Sequence, residues 1–208
     1  MNIFPENKLL IATHNTGKLE EFKYLLKDLD LKILSSRDLN LDEPNETENT
    51  FIGNARIKSK ISCLQSNLPS LADDSGLQVH ALGNKPGIYT ADWAFTDKGR
   101  DFKKAMHRVW NELIETKQQE PFTANFICTL VLTFPNGNEE IFEGIVNGII
   151  TWPMRGRDGH GYDPIFVPEG HKKTFGEMTN FEKNKISHRS IALKKFISFY
   201  MNRINNGY

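Results

Sequence analysis

The 208-residue chain predicts an α/β fold: a mixed, bent central sheet with helices on both sides, in two lobes around a cleft. Three observations predict it. Short apolar runs of strand length alternate with helical-period segments in the first half of the chain. Two long strand-like runs in the second half flank Pro135-Asn136-Gly137-Asn138. No internal repeat, linker or low-complexity segment interrupts the pattern, so residues 1–208 are expected to form a single domain.

The first element is a short buried strand, Lys8-Leu9-Leu10-Ile11-Ala12-Thr13. A helix follows, with Leu19, Phe22, Leu25, Leu26 and Leu29 close to the spacing of one helical face. Leu31 to Leu34 reads as a second strand. After the polar stretch Asp42 to Glu48, a second helix runs from about Glu48 into Cys63 and Leu64. Leu71-Ala72 then meets Asp73-Asp74-Ser75-Gly76, an apolar-to-acidic break that resembles a strand end. Phe102, Ala105, Met106, Val109 and Leu113 define the clearest helix of the chain. The long strands run from Phe122 to Phe134 and from Glu140 to Trp152. Asn-Gly between them is a strong hairpin signal, because both residues tolerate positive φ. Gly144 and Gly148 predict bulges or bends in the second strand. The last helix starts near Ser187 and carries Ile191, Ala192, Phe196 and Tyr200.

Composition narrows the function classes. With 26 basic and 26 acidic residues the formal net charge is zero, whereas a general nucleic-acid binder carries a basic excess. No window approaches the ~18 consecutive apolar residues of a membrane span. Met1-Asn2-Ile3-Phe4-Pro5-Glu6-Asn7 has no basic region followed by an apolar stretch, so no export signal is expected there. Cys63 and Cys128 lie far apart in apolar-periodic stretches and read as buried free thiols, which fits a reducing cytoplasm.

Three stretches can carry chemistry. Thr13-His14-Asn15-Thr16-Gly17-Lys18 lies between a strand and a helix, where backbone N–H groups and the helix dipole favour phosphate. It is not a Walker A loop, since Ala12 and Leu19 stand where that motif needs Gly and Ser or Thr. Read alone, a polar turn with an exposed lysine explains it equally well, and His14 is an ordinary loop histidine. In Asp73-Asp74-Ser75-Gly76, adjacent carboxylates point to opposite sides if extended. One can hold Mg²⁺ while the other orients or activates a water, and Asp42, Glu43, Glu46 or Glu48 can supply a further ligand. A solvated acidic turn is the competing explanation. The third stretch, Arg155 to Arg189, holds Gly159-His160-Gly161-Tyr162-Asp163-Pro164 and Glu182-Lys183-Asn184-Lys185-Ile186-Ser187-His188-Arg189. Its glycines let backbone approach a flat ligand, and Lys183, His188 and Arg189 donate to phosphate or carbonyl oxygens. A glycine loop before a solvated basic helix start explains it too, and Thr179 to Glu182 matches a capping box.

Taken together with Thr50-Phe51-Ile52-Gly53-Asn54-Ala55 and Pro86-Gly87-Ile88-Tyr89, these stretches resemble the Ham1 family of inosine triphosphate and dITP/XTP pyrophosphatases across almost the whole chain. The resemblance implies a homodimer that binds no nucleic acid or membrane and hydrolyses purine nucleoside triphosphates such as ITP, dITP and XTP to monophosphate and pyrophosphate. It implies Mg²⁺ as cofactor, with Glu46 and Asp74 as ligands. Asp74 would be the general base, supported by Asp73. Thr13, Asn15 and Lys18 would bind phosphates, with Lys18 also catalytic, and His14, Thr16, Gly17 and Ser75 would touch substrate. His160, Gly161, Tyr162 and Asp163, with Lys183, His188 and Arg189, would hold the base.

Four positions depart from the family's pattern. His160 replaces a phenylalanine that stacks on the purine. Glu48 replaces a glycine, and Gly53 replaces a common glutamate. Asp92-Trp93 follows Tyr89-Thr90-Ala91 where arginine is frequent. Two rival readings remain at this level: a Maf-like pyrophosphatase acting on modified or pyrimidine nucleotides, and a nucleotide-binding regulator without turnover.

Overall fold

The structure, a computed structural model, describes residues 4–205. Met1, Asn2 and Ile3 of the N-terminal stretch discussed above lie outside the described residues. The strands are β1 (Lys8–Ile11), β2 (Lys32–Ser35), β3 (Ser70–Val79), β4 (Lys85–Pro86), β5 (Phe95–Thr96), β6 (Gly99–Arg100), β7 (Phe122–Thr133), β8 (Glu139–Ile150) and β9 (Phe166–Pro168). The helices are α1 (Thr16–Leu26), α2 (Phe51–Ser66), α3 (Phe102–Glu115), α4 (Asn180–Ile186) and α5 (His188–Asn205). The main sheet has the order β2-β1-β3-β7-β8-β9, with β4 paired to β3. It is mixed: β1 runs parallel to β2 and β3, whereas β9 runs antiparallel to β8.

The chain divides into two compact units. Unit 1 comprises residues 1–74, 128–143 and 191–208. Leu9 and Ile11 of β1, Phe22 and Leu26 of α1, Leu130 and Leu132 of β7, and Phe196 and Tyr200 of α5 share one apolar core there. Unit 2 comprises residues 75–127 and 144–190. Its core joins Val109 and Leu113 of α3 to Phe126, Tyr162, Phe166 and Phe175. Ala105, Met106, Val109 and Leu113 are all buried, as their spacing in the sequence requires. Cys63 and Cys128 are both buried.

Local differences from the sequence reading have identifiable causes. β3 does not end at the acidic pair but continues through Asp73-Asp74-Ser75-Gly76 to Val79. Both carboxylates are buried, at 2% and 6% exposure, which removes the solvated-turn explanation. At the β7–β8 turn only Gly137 takes positive φ (86°). Asn136 instead uses its side-chain oxygen to accept the Asn138 N–H at 3.0 Å. Gly148 marks a close approach and not a break, because β8 keeps continuous register with β9 there and a Cβ would strike the carbonyl oxygen of Val167. The C-terminal basic stretch forms two helices. Thr179 and Glu182 make the expected capping box at the start of α4, and Ser187, extended at φ −67° and ψ 153°, ends that helix. Its Oγ then accepts the Ser190 N–H at 3.2 Å, starting α5. Among the described residues no helix is long and apolar enough to cross a membrane.

Candidate active site

In unit 1 the β1–α1 turn is shaped by its own side chains. Asn15 caps α1 by accepting the Lys18 N–H at 3.1 Å, and Thr13 Oγ1 lies 3.3 Å from the Asn15 N–H it accepts. Thr16 and Gly17 open the helix, where backbone N–H groups lack intrahelical acceptors and suit an anion. His14 is tied down: its Nε2 lies 2.8 Å from the Leu41 carbonyl oxygen, and its own carbonyl accepts Arg37 at 3.1 Å. The Lys18 ammonium reaches 2.8 Å from Asp73 Oδ2. The turn and the acidic strand thus meet directly.

Asp74 accepts a hydrogen bond from the Asn54 side-chain amide at 3.2 Å. Burial pushes its carboxyl from the ordinary 3.8 up to about 6; Lys58 and Lys18 oppose that rise, whereas Glu46 and Asp73 add to it. Lys58 lies 2.8 Å from Glu46 and is only 7% exposed. Burial pulls its ammonium down, but attraction to Asp73, Asp74 and Glu46 and the hydrogen bond to Glu46 outweigh it, so its pKa sits above the usual lysine range. Three carboxylates and two ammonium groups therefore form one electrostatic cluster. A carboxyl held near 6 can shed and accept a proton close to neutrality, which suits a general base.

In unit 2 Asp163 is the organising group. It is 1% exposed, and its Oδ2 accepts both the Lys183 ammonium and the His160 backbone N–H, each at 2.6 Å. Gly159 and Gly161 take positive φ (85° and 67°), and a Cβ on Gly159 would collide with that same Asp163 oxygen. The His160 ring is exposed; the loop uses its backbone, not its imidazole, to fold. Tyr162 is a core residue, 1% exposed, whose hydroxyl donates to the Thr90 carbonyl at 3.0 Å. Its side chain ties the loop to the Thr90 backbone. Arg189 donates to Ser75 Oγ at 3.2 Å, and His188 stacks on Phe126 at 4.9 Å with 11° between the rings.

The sequence pattern of the Ham1 family matches residues 9–199. The chain belongs to the Ham1 family. A dITP/XTP pyrophosphatase from Ruegeria pomeroyi is 52% identical over 194 residues, covering 93% of this chain and 95% of that protein. One from Gluconobacter oxydans is 46% identical, covering 93% and 91%. The solved structure of a HAM1 protein from Coxiella burnetii is similar with a TM-score of 0.87 at 33% identity, covering 94% of this chain and 98% of that one.

This Ham1-family chain brings together residues that its sequence left unassigned. Asn54 and Lys58 lie four apart on α2, both buried and both aimed at the acidic group. Two polar residues four apart on the helix were the available signal. The donor set fits the metal that the resemblance implies. Glu46, Asp73 and Asp74 offer only hard anionic oxygens, the chemistry Mg²⁺ takes. Among the described residues no three His, Cys, Asp or Glu side chains form a metal cage. Magnesium does not need one, because it is held by one or two carboxylates with waters and phosphates completing its shell.

Proposed function

We propose that this chain hydrolyses non-standard purine nucleoside triphosphates, such as dITP, XTP and ITP, to the monophosphate and pyrophosphate. The observation that carries the reading is the buried acidic pair on β3, with Lys18 on Asp73 and with Asp74 held near neutrality. A regulator that only binds nucleotide has no use for a buried carboxyl tuned in this way. The relatives' shared name disfavours a Maf-like specificity. The enzyme would work as a homodimer in the cytoplasm.

Asp74 takes the proton of the attacking water at a carboxylate oxygen, and the attack falls on the α-phosphorus. Asp73 orients Lys18, whose ammonium, with the first-turn N–H groups of α1, binds phosphate oxygens. Thr13 and Asn15 set the shape of that turn. A magnesium ion held by Glu46 and Asp74 would neutralise the triphosphate. Little covalent work is left to the protein, so positioning and charge dominate. His188 and Arg189 donate toward a 6-oxo purine; a 6-amino group there would leave donor facing donor, which rejects adenine. Ser75 supports Arg189 by accepting its hydrogen bond, and Lys183 supports the His160 loop through Asp163. Given ITP and Mg²⁺, the purified protein should release IMP and pyrophosphate in one step. Initial appearance of IDP and orthophosphate would defeat the reading.

His160, exposed between two glycines, takes the place of the stacking ring. Stacking of a base on an aromatic side chain is worth about 1–3 kcal/mol, so His160→Ala should cost roughly five- to 150-fold in kcat/KM, mainly through KM. His160→Phe should be tolerated. Steady-state kinetics on ITP checks both variants, and an unchanged KM in His160→Ala would reduce His160 to a turn residue.

A further inference from the structure

Asn54 sits on the first turn of α2 and is 3% exposed. Its side-chain oxygen accepts the backbone N–H of Glu48 at 3.0 Å, while its amide nitrogen donates to Asp74 Oδ2 at 3.2 Å. The two partners fix the amide's orientation, since an N–H demands an oxygen and a carboxylate demands a donor. One side chain therefore joins the carboxyl of Asp74 to the segment that carries Glu46. That segment is held a second time, where Glu46 pairs with Lys58 one turn further along α2.

A steric contact backs the hydrogen bond. A Cβ on Gly53 would lie 2.5 Å from Glu48 Cβ, 2.7 Å from Glu48 Cγ and 3.0 Å from Thr50 Oγ1. These Glu48 atoms are the root of its side chain and cannot swing aside without moving the backbone that bonds to Asn54. Gly53 is otherwise out of place in a helix, where alanine is favoured. The two departures from the family pattern at 48 and 53 are thus one feature: the stem of Glu48 fills the space a side chain at 53 would take.

We propose that Asn54 is a positioning residue that sets Asp74 relative to the Glu46-bearing segment, with Glu48 seated on Gly53 as its clamp. The proposal rests on the reading of Asp74 as general base and Glu46 as its metal-side companion. Two experiments on the full chain test it. The first measures Tm in chelator for Gly53→Ala, Glu48→Gly and the double variant. Helix propensity alone predicts that Gly53→Ala stabilises. The clamp predicts a lower Tm for Gly53→Ala alone and a gain when Glu48→Gly has made room; additive effects would overturn it. The second measures ITP turnover against Mg²⁺ concentration for Asn54→Ala. Displacing a reacting group by about 1 Å can cost about 10²-fold, so kcat per folded molecule should fall ten- to hundredfold. KM for ITP should stay within about threefold, and the magnesium midpoint should rise. A kcat within about twofold of the parent overturns the positioning role. If Asn54→Ala does not fold, Gly53→Ala serves instead: its kcat should fall and recover in the Glu48→Gly background, and a failure to fall overturns the proposal. Asp74→Asn measured alongside separates the two levels. An inactive Asp74→Asn beside a normal Asn54→Ala defeats the positioning role alone, whereas an active Asp74→Asn defeats the reading beneath it.

Discussion

Asp74→Asn should cut ITP turnover by ~10²–10⁴-fold and yet leave a metal-free protein that is more stable at neutral pH than the parent. The loss of rate follows from removing the base. The gain in stability follows from where the carboxyl sits. Burial, ahead of the opposing pull of Lys58, lifts its folded-state pKa from 3.8 to about 6. A carboxyl raised in this way stabilises the fold fully below its unfolded pKa, and that contribution disappears as pH rises through the folded value. Above about pH 6 the parent therefore holds a buried charge that asparagine does not have. A shift of this size corresponds to roughly 2–3 kcal/mol, or roughly 5–10 °C in Tm for a chain of this length. Asparagine can still accept from Asn54, so the local bond survives. Thermal unfolding of both proteins in chelator at pH 5 and pH 7.5 checks it: pH 5 lies inside the window between 3.8 and about 6, so the gap in Tm should be smaller there than at pH 7.5 but not closed. Near-normal kcat at saturating Mg²⁺ would move the base to Asp73. Equal Tm values at pH 7.5 would mean that Lys58 offsets the buried charge completely.

Asp163→Ala should strongly destabilise unit 2. It leaves the Lys183 ammonium, on a residue 8% exposed, without its carboxylate and also frees the His160 N–H. Breaking a buried pair by removing one partner costs about 3–5 kcal/mol, because the remaining charge stays desolvated. The double variant Asp163→Ala/Lys183→Met should recover much of that stability, since the stranded charge goes with it, but not base binding. Chemical denaturation of the single and double variants measures both effects. A loss under about 1 kcal/mol in Asp163→Ala would show that Lys183 reaches water when unpaired, and the Gly159–Gly161 loop would then owe its shape to other contacts.

Much of this was legible in the residues. Helical spacing placed α1 and α3, two long strand-like runs flanking the Asn-Gly pair placed β7 and β8, and Thr179 with Glu182 announced the start of α4. These signals are local: each depends on side chains within one or two turns of one another, which a sequence displays directly. The acidic pair was legible as chemistry but misread as structure. A strand carrying two adjacent carboxylates looks like a strand end until Lys18 and Asn54 are known to meet them. His14 and Tyr162 fell within motifs yet are held by Leu41 and Thr90, partners 27 and 72 residues away.

By itself, the sequence determined which groups are present and in what order: a strand-to-helix turn ending in lysine, paired carboxylates, a glycine-flanked histidine, and a basic helix start. It also determined the family, because several short motifs in one order are a property of the chain and not of its folding. Only the tertiary structure decided which of these groups are buried, and burial is what changes their chemistry. Asp74 has an ordinary carboxyl until water is removed from around it and Lys58, sixteen residues earlier and on another element, is set against Glu46 beside it. Likewise Glu48 and Gly53 are two unrelated oddities in the sequence, and a single contact once α2 is formed. Desolvation and close packing depend on every neighbour in space at once, so no spacing rule along the chain could have supplied them.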